Sequence, residues 1–107
     1  MSGLAESVKA PLSRVEGLKA VRILISGRVQ GVGFRWFAEK QASELAVAGY
    51  VRNLPEGHVE VLAQADEQTL ESFCRELRQG PRLAQVEEFS MKAVPVDVSL
   101  QGFGVRY

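Results

Sequence analysis

The sequence is poor in the side chains that most often carry covalent or metal chemistry. Among 107 residues there is one cysteine, Cys74, and one histidine, His58. A single cysteine forms no intramolecular disulfide and cannot supply a zinc site built from several thiolates, so we expect a reducing compartment, the cytoplasm. No run of about 18 apolar residues occurs, which argues against a membrane span. Met1 to Lys19 holds no apolar core of the signal-peptide kind, so export by that route is not expected either. A dense Lys/Arg stripe interleaved with aromatics is missing as well, and with it the usual footprint of a nucleic-acid partner. There is no internal repeat and no low-complexity tract.

What is present suits one folded domain. The length leaves room for no more. Hydrophobic residues make up 46% of the chain, as in ordinary folded proteins. A chain of this size buries roughly two thirds of its extended surface, enough for a core without disulfides or metal. Net charge is zero but unevenly spread: residues 1–52 carry +4 and residues 53–107 carry −4. A positive half suits a small anion. Residues 1–18, of mixed polarity and containing Gly3, Pro11 and Gly17, are expected to be a flexible extension, with the folded domain in residues 19–107.

From Ala20 to Gly27, Val21, Ile23 and Ile25 alternate with Arg22, Leu24 and Ser26, which predicts a strand. A glycine-rich loop follows. The period then changes, and Phe34, Phe37, Ala38, Gln41, Leu45 and Ala46 fall on one helical face that Gly49 is expected to end. Tyr50 to Asn53 begins an extended segment, Pro55-Glu56-Gly57 is turn chemistry, and Val59, Val61 and Ala63 read as the returning strand of a hairpin. Asp66 is placed to cap a second helix with inner face Leu70, Phe73, Cys74 and Leu77, stopped by Gly80-Pro81. Cys74 is therefore read as core. Gln85 to Val94 and Gly102 to Tyr107 read as strands. The order is βαββαβ with a short terminal strand, an α+β ferredoxin-like sandwich: an antiparallel sheet with two helices on one face.

The loop Gly27-Arg28-Val29-Gln30-Gly31-Val32-Gly33-Phe34-Arg35 joins the first strand to the first helix. Successive backbone N–H groups and a helix N-terminus at such a junction make a pocket for an anion. Gly31 and Gly33 permit angles that a side chain would resist. Arg35, at the start of the helix, can fold a planar fork over two phosphate oxygens. A tight turn with a surface arginine is the competing reading of this pattern. The loop has no Gly-Lys-Ser/Thr of a nucleotide P-loop, and Trp36 stands where a dinucleotide fingerprint needs glycine. Val29 occupies the place of the nucleophile of a cysteine phosphatase, and no acidic cluster nearby could hold Mg²⁺.

These absences narrow the chemistry. His58 sits beside the hairpin turn and is read as a solvated turn residue. Without a general acid, the leaving group must depart unprotonated. A carboxylate does so, its conjugate acid having a pKa of about 4. Acyl phosphates, mixed carboxylic–phosphoric anhydrides, are then the logical substrates, with water as nucleophile. The amide of Asn53 offers a donor and an acceptor and could orient that water; an ordinary turn asparagine before Leu54-Pro55 is the other reading, and spacing leaves both open. Phe34 and Phe37 are read as core, and Trp36 as flanking the loop or simply exposed.

The loop resembles the acylphosphatase signature. Gly49-Tyr50-Val51-Arg52-Asn53-Leu54-Pro55-Glu56-Gly57-His58-Val59-Glu60 resembles that family's second conserved block, and Phe103-Gly104-Val105-Arg106-Tyr107 its terminus. The likeness runs from about Lys19 to Tyr107. It implies a ferredoxin-like hydrolase that splits acyl phosphates into carboxylate and inorganic phosphate without metal or cofactor. A cytoplasmic monomer is expected. It implies further that Arg35 binds phosphate and stabilises transition-state charge, and that Asn53 positions water. The amides of Arg28, Val29, Gln30, Gly31, Val32 and Gly33 would complete the cradle, with the phosphate itself taking the water's proton. An alternative is a binding module that holds phosphate or carbamoyl phosphate unchanged. Similar domains occur in carbamoyl-transfer proteins that mature hydrogenases, but those carry cysteine motifs that this sequence does not. An RNA-binding ferredoxin-like domain would need aromatics on the exposed sheet face, where few are expected.

Overall fold

The computed structural model describes residues 17–107. The expected extension, residues 1–18, thus lies outside the described residues except for Gly17 and Leu18. In chain order the elements are β1 (Leu18–Arg28), α1 (Phe34–Leu45), β2 (Ala48–Asn53), β3 (Val59–Asp66), α2 (Glu67–Gln79), β4 (Gln85–Val94) and β5 (Phe103–Arg106). They form one sheet of order β4-β1-β3-β2-β5. β1 pairs antiparallel with β3 and β4, and β2 with β3. β5 departs from the expected all-antiparallel sheet: it joins β2 in parallel, with Tyr50 opposite Gly104 and Arg52 opposite Arg106. The sheet is mixed.

Alternation in the strands decides which face is covered. Ile23, Ile25, Val51, Val59 and Val61 point to one side and are fully buried. Phe34, Ala38 and Ala42 of α1 and Leu70, Phe73, Cys74 and Leu77 of α2 close over them. Each fully buried Phe or Ile side chain contributes about 1.5–3 kcal/mol relative to exposure. Phe73 also meets Phe103 edge to face at 5.9 Å, tying α2 to the last strand. Cys74 is buried as expected, which pushes its thiol pKa up.

Two local expectations need correction. Gly49 does not end α1. The helix stops at Leu45, and Ala46 takes the left-handed cap with φ 60°, its neighbour Val47 donating back to Ala42 O at 2.9 Å. Ala46 is exposed, and Ala42 takes the inward place that periodicity had given it. Gly49 lies inside β2 instead, where a Cβ would stand 1.8 Å from Leu62 O, so the close strand contact demands glycine.

The other sheet face is partly crossed by the connection between β4 and β5. Gln64, nearly buried, holds it with both ends of its amide: Nε2 donates to Asp97 O at 2.8 Å, and Asp97 N donates to Gln64 Oε1 at 2.9 Å. This clasp fastens the segment that delivers β5 to the β2 edge.

Candidate active site

The end of β1 is bent before the loop begins. Pairing with β4 slips between Ser26 and Gly27, a β-bulge that redirects the chain out of the sheet. The loop then enters α1 through Gly33, whose φ of 80° and ψ of 21° are left-handed. Gly31 is left-handed too, and a Cβ on either residue would meet nothing within 4 Å. Glycine is required there by backbone angles, and the space beside it stays open to solvent or ligand.

The two helix N-termini contrast. Asp66 caps α2, with Oδ1 accepting from Thr69 N at 2.8 Å and Oδ2 from Thr69 Oγ1 at 3.0 Å. These bonds hold its carboxyl below the usual range. α1 begins at a glycine that has no side chain to cap it, and no acidic residue stands in its first turn. Its leading N–H groups and positive dipole end thus lack a protein-borne anion.

These parts surround a cleft of about 300 Å³, at the small end of ligand-site sizes. Its lining includes Val29, Gly31 and Gly33 of the loop, Arg35 of the first turn of α1, and Asn53 at the end of β2. Arg35 stacks its guanidinium over the Tyr107 ring at 4.8 Å, which restrains the arginine without neutralising it. Asn53 Oδ1 is buried and accepts no hydrogen bond from any described residue. A buried acceptor left unpaired beside a cleft needs a donor from substrate or water.

The remaining loop positions do other work with their side chains. Arg28 is exposed and does not line the cleft; Val32 is half-buried against the core. Gln30 Nε2 donates to Leu54 O and to His58 O, both at 2.8 Å, and so fastens the loop to the turn that follows Asn53. On the sheet face away from the helices, Glu60 Oε1 accepts from Arg52 Nε at 2.7 Å and Tyr50 OH at 3.1 Å. That bond and charge raise the Arg52 pKa and anchor β2 one residue before Asn53.

His58 is half-buried, not freely solvated: Nδ1 is enclosed and lies 3.7 Å from Glu56 Oε2. It stays outside the cleft, as does Cys74. Among the described residues, no group of three or more His, Cys, Asp or Glu side chains is placed to hold a metal ion.

Residues 21–105 match the family model described as Acylphosphatase. The chain belongs to the acylphosphatase family. An acylphosphatase of Thermus thermophilus is 50% identical over 82 residues, covering 77% of this chain and 92% of the relative. The crystal structure of the acylphosphatase from Bacillus subtilis superposes with a TM-score of 0.80 at 36% identity, covering 84% of this chain and 99% of that one. That from Coxiella burnetii gives a TM-score of 0.82 at 31% identity, covering 87% and 97%. The match spans both acylphosphatase blocks and the fold that joins them.

Three cleft-lining residues, Glu39, Val105 and Tyr107, were given no site role by the sequence reading. Glu39 lines the cleft one turn beyond Arg35, a place its i,i+4 spacing could have suggested. Tyr107 gives no such signal, because its place under Arg35 depends on β5 lying beside β2.

Proposed function

We propose that this cleft hydrolyses acyl phosphates to a carboxylate and inorganic phosphate without metal or cofactor, and that Arg35 and Asn53 are its catalytic side chains. The observation that carries the assignment of roles is the unpaired, buried Asn53 Oδ1 in the same cleft as Arg35 and the uncapped N-terminus of α1. The phosphoryl oxygens lie against the loop amides and the Arg35 fork, which stabilises the charge gathering on them in the transition state. Asn53 Oδ1 accepts a hydrogen bond from the attacking water and fixes its orientation. Water attacks phosphorus, the bond from phosphorus to the carboxylate oxygen breaks, and a phosphoryl oxygen takes the water's proton. The carboxylate departs unprotonated, so the absence of His58 and Cys74 from the cleft is no obstacle. A non-catalytic phosphate-binding role uses the same anion cradle but gives the unpaired Asn53 acceptor no task.

Benzoyl phosphate hydrolysis tests this reading. Arg35→Ala and Asn53→Ala should each lower the rate by at least ~10²-fold. Wild-type protein that turns over no faster than either variant would overturn it. We propose further that the enzyme is a cytoplasmic monomer; its one cysteine, Cys74, is a free, buried thiol, which suits a reducing compartment. Light scattering of the purified protein checks the oligomeric state.

A further inference from the structure

A larger depression of about 670 Å³ adjoins the cleft along the outer side of α1, reaching the start of β2 and β5. Its floor is apolar, with Ala42, Val47, Ala48 and Phe103, and its rim polar, with Lys40 and Ser43 among others. Trp36 and Glu39 line both spaces, so the cleft and the groove adjoin at these two side chains. Asn53 lines the cleft only. Trp36 is 64% exposed, so most of its ring surface is open to a ligand in either space. Lys40, one turn along α1, places its ammonium 5.3 Å from the ring centre and restrains the ring's orientation.

We propose that this groove receives the acyl portion of the substrate, and that Trp36 selects aromatic and other flat apolar acyl groups over acetyl. The inference rests on the reading that the cleft holds the phosphoryl group. In an in-line attack, water and leaving group stand on opposite sides of phosphorus. With water held at Asn53, the carboxylate and its acyl carbons point away from Asn53. Val29 and Phe34 close the cleft as buried core side chains, and the groove past Trp36 continues outward. An acetyl group ends within the cleft, whereas the ring of a benzoyl group extends to the indole and can stack on it.

The test compares kcat/KM for benzoyl phosphate and acetyl phosphate in wild type, Trp36→Ala and Trp36→Phe. The benzoyl-to-acetyl ratio should fall about tenfold in Trp36→Ala, carried mainly by KM, and Trp36→Phe should restore most of it. Trp36 is the chain's one tryptophan, which gives a second readout in the unaltered protein. Benzoylphosphonate, at concentrations that inhibit hydrolysis, should change its emission more than inorganic phosphate does. An unchanged ratio, or equal emission responses, overturns the acyl-site inference while leaving the hydrolysis reading intact. A wild type that hydrolyses neither substrate overturns the hydrolysis reading itself.

Discussion

Replacing Gln30 tests how the glycine-rich loop is held against the turn that follows Asn53. The Gln30 amide donates two bonds of 2.8 Å across the gap, to Leu54 O and His58 O. Each such bond is worth about 0.5–1.5 kcal/mol net. Neither carbonyl is left bare when the amide goes, because Gly57 N still donates to Leu54 O at 3.1 Å and Leu54 N to His58 O at 2.8 Å. Gln30→Leu should therefore cost about 1–2 kcal/mol, below the full penalty for stranded acceptors. Gln30→Glu keeps the shape but turns the donating nitrogen into an oxygen facing two carbonyl oxygens. Near neutral pH it should be less stable than Gln30→Leu. Repulsion would raise its carboxyl pKa in the folded state above the unfolded value of about 4.3, so folding binds the proton and stability recovers as pH falls. Urea unfolding of the three proteins near neutral pH and near pH 5 reads both effects. Kinetics should show the loop moving, as a lower kcat/KM in both variants. A Gln30→Glu protein at least as stable as Gln30→Leu near neutral pH, or one that loses stability relative to it on acidification, would refute the placement of the Nε2 donor.

The glycine positions separate strain from collision. Gly33→Ala meets no neighbour and should lose only the left-handed backbone penalty of about 1–2 kcal/mol, whereas Gly49→Ala, with its Cβ driven into Leu62 O, should lose clearly more in the same denaturation assay. Equal losses would show that the β2–β3 contact yields easily. Asp66 supplies the pH test. Its carboxyl titrates below the usual range because Thr69 donates to it, so the cap's contribution is in place above the unfolded pKa of about 3.9 and is lost as pH falls through the lower folded value. Asp66→Asn keeps a capping acceptor but does not titrate, and its thermal midpoint should fall less steeply on acidification than that of the wild type. A parallel fall in both proteins would remove Asp66 from the acid response.

Local chemistry alone determined much of this protein. Period-two alternation gave β1 and its inward Ile23 and Ile25, and period 3.6 gave the buried face of α2. Asp66 and Gly80 bound α2 at the expected places, because capping depends on residues within one turn. The loop and Arg35 were visible for the same reason. Spacing alone left Asn53 between a turn residue and a water-orienting amide, and the family resemblance supplied its role; its buried, unpaired oxygen is a feature of the fold, where β2 pairs with β3. Tertiary structure also decided what no local pattern could carry. Ala46 accepts a left-handed angle that glycine would have taken more cheaply, so α1 ends earlier than composition suggested. β5 runs parallel to β2 because the connection held by Gln64 brings it to that edge, and this places Tyr107 beneath Arg35. Gln30 is a tie between loop and turn, a role set by two carbonyls more than twenty residues away in sequence. Spacing along a helix or strand reports which neighbours share a face. Only the folded sheet brings together groups that are distant in the chain, and in this cleft those groups are Arg35, Asn53 and Tyr107.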